Sequence, residues 1–191
     1  DEVQTGFGRT GSMWGIDHYG VEPEVMTMAK GIANGLPLGA VVAVPEVADS
    51  LTKPIVCTYG GNPLSSTAAL AVLDEIETKK LVAHAKTLGE RLGEGLNALK
   101  RRFPKIVGDV RGKGLMQAIE LVADETTQDR TPNTKAILAL FEETKKRGML
   151  IGKGGLYGNV VRLAPPLNVT VEELDEGVKK LDESFLALER L

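Results

Sequence analysis

Cysteine and histidine are nearly absent from this chain, and each scarcity removes a class of function. A single cysteine, Cys57, in 191 residues excludes an internal disulfide framework and fits a reducing compartment. The two histidines, His18 and His84, stand alone and Cys57 has no nearby partner, so no metal site is expected. A net charge of −3 leaves no basic footprint, which argues against nucleic-acid binding. No apolar run approaches the roughly 20 residues a bilayer-crossing helix needs. The charged-then-apolar layout of a secretory signal is missing as well. These absences point to a cytoplasmic protein. A mitochondrial location stays open, because the sequence does not begin with methionine.

What remains is ordinary for a globular protein: 42% hydrophobic and 26% charged residues, over a length that can bury a real core. The first part of the chain alternates short apolar runs with glycine and proline turns. Residues 38–44 form a continuous apolar run between Pro37 and Pro45 and read as a buried strand. A shorter strand near Val25-Met26-Thr27-Met28 would deliver Lys30 at its C-terminal end, where ligands bind in open α/β sheets. Asn62 then caps a helix with Pro63 in its first position. A second amphipathic helix follows from about 81 to 103, with Leu88, Leu92, Leu96 and Leu99 on one face and Pro104 as its stop.

From about Ile106 the texture becomes that of a small α+β domain. Strands are expected over 115–122, 149–151 and 159–163, and helices over 133–147, closed by Gly148, and 170–191, opened by a Thr170…Glu173 capping pair. The glycine clusters around 108–114 and 152–155 lack the spacing and the Lys-Ser/Thr ending of a P-loop, and are read as tight turns. The expected organisation is α/β: a partial large domain over 1–103 with long connecting helices, then a small C-terminal α+β domain over 104–191.

A lysine embedded in glycines, Met28-Ala29-Lys30-Gly31-Ile32-Ala33-Asn34-Gly35, follows an acidic opening, Asp1-Glu2-Val3-Gln4-Thr5-Gly6-Phe7-Gly8-Arg9-Thr10-Gly11. A buried lysine and a buried carboxylate at loop ends are what a pyridoxal-phosphate site requires. The amine condenses with the cofactor aldehyde, and the carboxylate keeps the pyridine nitrogen protonated. Small residues around Lys30 would let a flat ring come close to the backbone. Taken singly, each residue has a plainer reading. Lys30 could be a solvated lysine at a strand end, Asp1 and Gln4 part of a glycine-rich turn, Thr58 part of a helix entry, and Arg162 an edge-strand arginine facing water. Arg111 is read as structural, and Glu120 receives no role.

Together, the two N-terminal stretches, the string Thr58-Tyr59-Gly60-Gly61-Asn62-Pro63-Leu64 and the later runs at 107–116 and 158–166 closely resemble the class-III, omega-amino-acid aminotransferases of PLP fold type I. The resemblance covers essentially all 191 residues and is strongest toward the alanine–glyoxylate type-2 group, with 4-aminobutyrate and ornithine aminotransferases as close alternatives. It implies pyridoxal 5′-phosphate as cofactor, Lys30 as the Schiff-base lysine, Asp1 at the pyridine nitrogen and Gln4 at the ring oxygen. It further implies that Thr58 reaches the cofactor phosphate of the neighbouring subunit in a homodimer, and that Arg162 clamps a substrate carboxylate. The implied reaction is a ping-pong exchange of an amino group between an amino acid and an oxo acid.

Since the opening carboxylate has no strand before it, the chain is expected to be the C-terminal part of a larger enzyme. Alone it is expected to be inactive. A PLP enzyme of another reaction type, such as an aminomutase or racemase, and a silent fragment surviving as a folding or dimerisation remnant are the competing readings.

Overall fold

A computed structural model describes residues 1–189. The chain divides into two compact units, Asp1–Ala85 and Lys86–Leu191. The fold is α/β, and none of its described helices is long and apolar enough to cross a membrane.

In the first unit the opening residues fold as successive turns, leading to a short 3-10 helix at Gly15–Tyr19. Strand β1 (Val25–Met28) runs directly into a 3-10 turn at Lys30–Ala33. Strand β2 (Ala40–Ala43) returns antiparallel to it, pairing Met28 with Ala40 and Val25 with Ala43. Pro45 ends that strand and begins the one-turn helix α1 (Pro45–Ala48). Helix α2 (Pro63–Thr78) starts as its sequence requires. The Asn62 side-chain oxygen accepts from the Ser65 amide at 3.0 Å, and Pro63 occupies a position where no amide is needed. Phe7, Met28, Ile32, Ala33 and Ile76 form the core, so the opening turn, β1, the Lys30 turn and α2 share one apolar centre. Phe7 meets Trp14 edge-on at 5.1 Å.

Helix α3 (Leu81–Arg102) crosses from the first unit into the second. Its leucines at 88, 92, 96 and 99 are all buried, the expected single face. Two features tie its later turns to the second unit. Gly89 lies against the backbone of Gly114, and Arg91 makes a bidentate pair with Asp175 at 2.7 and 2.6 Å.

The sheet of this unit contains β3 (Val107–Lys113), β4 (Met116–Asp124), β7 (Val160–Leu163) and β6 (Gly152–Gly154) in that order, all antiparallel, with β5 (Asp129–Pro132) pairing β4 as well. Helix α4 (Thr134–Lys146) packs on β4 and on α5 (Val171–Leu188). Along β4 the residues alternate: Gln117, Ile119 and Leu121 are buried, while Ala118 and Glu120 point to the opposite face. Phe103 and Phe185 stack at 5.4 Å in the core.

Several expected elements are corrected. Residues 149–151 are not a strand. Gly148 takes a φ of +69° and the Met149 amide bonds back to the Thr144 carbonyl at 2.9 Å, so that amide closes α4 instead of entering a ladder. The strand begins at Gly152, and Leu150 is left 87% exposed. The run at 108–114 is largely strand β3, not a turn. Gly108 is glycine because a Cβ there would stand 2.7 Å from a Val122 methyl, a close approach across the hairpin. Strand β5 adds to the expected set, since Asp-Arg-Thr-Pro has no apolar alternation to signal it. The final helix is described over Val171–Leu188, and the last two residues of the expected helix lie outside the described residues.

Candidate active site

The opening segment is laid beside the strand that carries the lysine. The Glu2 amide donates to the Thr27 carbonyl at 2.9 Å, and one residue beyond Thr27 β1 ends. That hydrogen bond joins the opening segment to the strand that leads into the Lys30 turn. Asp1 is exposed, its carboxylate accepting the Val3 amide at 3.0 Å, and Gln4 is also exposed.

Lys30 opens the turn with a φ of +48°, a left-handed backbone that costs a non-glycine residue about 1–2 kcal/mol. Packing just downstream holds the strain: Ile32 and Ala33 are buried in the core, and the Ile32 amide bonds the Ala29 carbonyl at 3.2 Å. Asn34 and Gly35 then continue with φ of +46° and +106°. Strain locked by packing is characteristic of functional positions. In this chain by itself the Lys30 side chain is exposed, as is Asp1.

The buried acid of the opening is instead its neighbour, Glu2, to which the sequence motifs assign no role. Glu2 is 5% exposed and its carboxylate accepts the Gly15 amide at 2.8 Å, the Ile16 amide at 2.9 Å and the Thr5 hydroxyl. Burial alone would raise the Glu2 carboxyl. The Thr5 hydroxyl and the two amides outweigh it and hold the group below its ordinary value of 4.5. No local pattern in the sequence flags it, because its partners Gly15 and Ile16 lie more than ten residues further along the chain.

Whether these residues suit a flat, anionic cofactor can be tested on the glycines. A Cβ on Gly31 would meet nothing within 4 Å, and Gly31 does not take a positive φ. Neither packing nor backbone conformation requires glycine beside the lysine, and the space next to Lys30 at Gly31 is open. The residues present fit the group.

Thr58 sits in an exposed turn before α2, within the same compact unit. The turn is held by the Gly60 amide on the Cys57 carbonyl at 3.1 Å and by the Asn62 side chain on the Tyr59 carbonyl, also at 3.1 Å. Part of this is plain capping chemistry, since Asn62 takes the Ser65 amide. α2 in turn packs on the Lys30 turn.

Arg162 belongs to the second unit. It is exposed on β7, paired with Ala118 of β4 on one side and Gly152 of β6 on the other. On the same sheet face, Arg111 donates to Asp109 at 2.8 Å and to Glu120 at 2.7 Å, which makes Glu120 one half of an ion pair.

The class-III aminotransferase family model matches residues 1–185, and the chain belongs to that family. Class-III aminotransferases are pyridoxal-phosphate enzymes of fold type I. The chain is 49% identical over 186 residues to a mitochondrial alanine–glyoxylate aminotransferase 2 homolog of Arabidopsis thaliana, covering 97% of this chain and 38% of that protein. It is 41% identical over 198 residues to a leucine/methionine racemase of Thermococcus litoralis, covering 99% of this chain and 42% of that one. Among solved structures, a transaminase from the marine bacterium Virgibacillus superposes with a TM-score of 0.91 at 35% identity, over 100% of this chain and 45% of its own. The chain thus spans less than half the length of the relatives it matches.

Proposed function

We propose that this chain supplies the lysine, the ring-binding and the carboxylate-binding residues of a pyridoxal-phosphate transaminase. That enzyme moves an amino group between an amino acid, alanine or an omega-amino acid, and an oxo acid such as glyoxylate, pyruvate or 2-oxoglutarate. The observation that carries the reading is the Glu2–Thr27 hydrogen bond, which joins the opening segment to the strand leading to a strained Lys30. The identity to an alanine–glyoxylate aminotransferase 2 homolog supports the substrate class.

When bound, the cofactor supplies an aldehyde for the amine and a ring that absorbs electrons. Lys30 would hold the aldehyde through its Nζ, and the same amine, when free, would take the proton from the substrate carbon that bears nitrogen. The Asp1 carboxylate keeps a proton on the pyridine nitrogen. Gln4 donates its amide to the phenolic oxygen. Thr58 donates its hydroxyl to a phosphate oxygen of the neighbouring subunit's site. Arg162 offers its planar fork to the substrate carboxylate.

Titration of the whole protein with pyridoxal phosphate, borohydride reduction and peptide mapping test the reading. A long-wavelength absorbance band with label on Lys30 alone is expected, and Lys30→Ala loses both. Label scattered over surface lysines would sink it. The kinship with a racemase favours a second reading, in which the amino group stays on its own carbon skeleton. Transfer of 15N from a labelled donor to an unlabelled oxo acid separates the two, because a racemase makes no such transfer.

A further inference from the structure

Arg162 lies among residues with almost no side chain of their own. Across β7 its pair partners are Ala118 and Gly152, and Gly154 stands two residues along β6 on the same face. Neither Gly152 nor Gly154 takes a positive φ, so backbone conformation does not require glycine at either position. Space does. A Cβ on Gly154 would overlap Cδ of Arg162, stand 3.0 Å from its Cγ and 3.6 Å from its Nε. A Cβ on Gly152 would stand 3.4 Å from the Arg162 Cβ and 3.2 Å from its carbonyl oxygen. The arginine stem therefore lies flat over β6, on ground that two glycines keep clear.

We propose that Gly154, with Gly152 beside it, is the seat that fixes the Arg162 side chain and so sets how the site receives the carboxylate of its amino-acid or oxo-acid substrate. This rests on Arg162 being the carboxylate clamp. Gly154 is a positioning residue and touches no substrate. An added methyl there meets atoms of a flexible side chain, which move at little cost to the fold. The stem must then leave β6, and the guanidinium at its end moves further than the methyl that displaced it. A seat of this kind affects recognition far more than stability.

The test uses the whole, cofactor-loaded protein, with propanoate as an unreactive carboxylate probe followed by calorimetry. Arg162→Ala is expected to raise the propanoate Kd roughly ten- to a hundredfold, the loss of a charge-assisted pair. Gly154→Ala is expected to raise it about tenfold, while cofactor absorbance is unchanged and Tm stays within about 2 °C. A merely structural glycine would lower Tm and leave the propanoate Kd alone. Should Gly154→Ala not fold, Gly152→Val presses on the base of the same stem, since a Cβ there stands 3.4 Å from the Arg162 Cβ, and is expected to weaken propanoate in the same direction. No propanoate binding by the wild type, or an unchanged Kd in Arg162→Ala, overturns the clamp and the seat together. A weakened Arg162→Ala beside an unaffected Gly154→Ala overturns the seat alone.

Discussion

Two adjacent acids at the start of the chain divide the work by the side they face. Asp1 is exposed, while Glu2 turns inward and ties residues 5, 15 and 16 to the opening segment. Glu2→Gln would set an amide donor against amide and hydroxyl donors, at a cost of about 1–3 kcal/mol. The wild-type group has a lowered folded-state value, so its stabilisation is present above its ordinary 4.5 and is lost as pH falls through the folded value. Thermal melts at stepped pH should therefore show wild type losing stability below about pH 4.5, with that component missing from Glu2→Gln. Equal acid slopes in the two proteins would show that Glu2 is not the group responsible. The sequence displayed both acids and the lysine, but not which acid is buried or that Lys30 is held at positive φ. Those depend on Gly15, Ile16 and the Ile32–Ala33 core meeting them in space.

At the scale of elements, the same substitution in two helices should act in opposite directions. In helix interiors alanine is favoured over glycine by about 1 kcal/mol. At Gly177 on α5 an added Cβ meets only the Met149 methyl at 3.8 Å, so Gly177→Ala should stabilise by roughly that amount. At Gly89 on α3 the Cβ would run into the backbone of Gly114, which cannot rotate away, so Gly89→Ala should destabilise by about 1–3 kcal/mol or more. Urea unfolding midpoints of the two variants check this, and a shift of the same sign in both would refute the close approach. Helix periods and caps were legible from sequence: Asn62, the buried leucines of α3 and the Thr170–Glu173 capping box all stand where their residue types require. The short strands were less so. A three-residue glycine strand such as β6 has no apolar pattern and exists only because β7 pairs with it.

For the whole molecule, the proposed sharing of sites between subunits has a consequence that single variants do not show. If Thr58 serves the neighbouring subunit's cofactor, a dimer of one Lys30→Ala chain and one Thr58→Ala chain holds one doubly damaged site and one intact site. Mixing the two variants under subunit exchange should then restore activity toward half that of the wild type per hybrid dimer. If Thr58 serves its own subunit, both sites of the hybrid are damaged and no activity returns. The measurement is the turnover of isolated hybrids carrying two different affinity tags.

The linear order of residues was enough to determine the family and the cofactor class, because the glycine-rich strings around Lys30 and Thr58 keep their residue types and spacing without geometry. The helices were also determined locally, by period and cap. Only tertiary structure decided which acid of the opening is buried, that a glycine strand forms at 152–154, and that the Arg162 stem lies on it. Each of these depends on atoms brought close from distant positions in the chain, and such proximity has no local signature in a sequence.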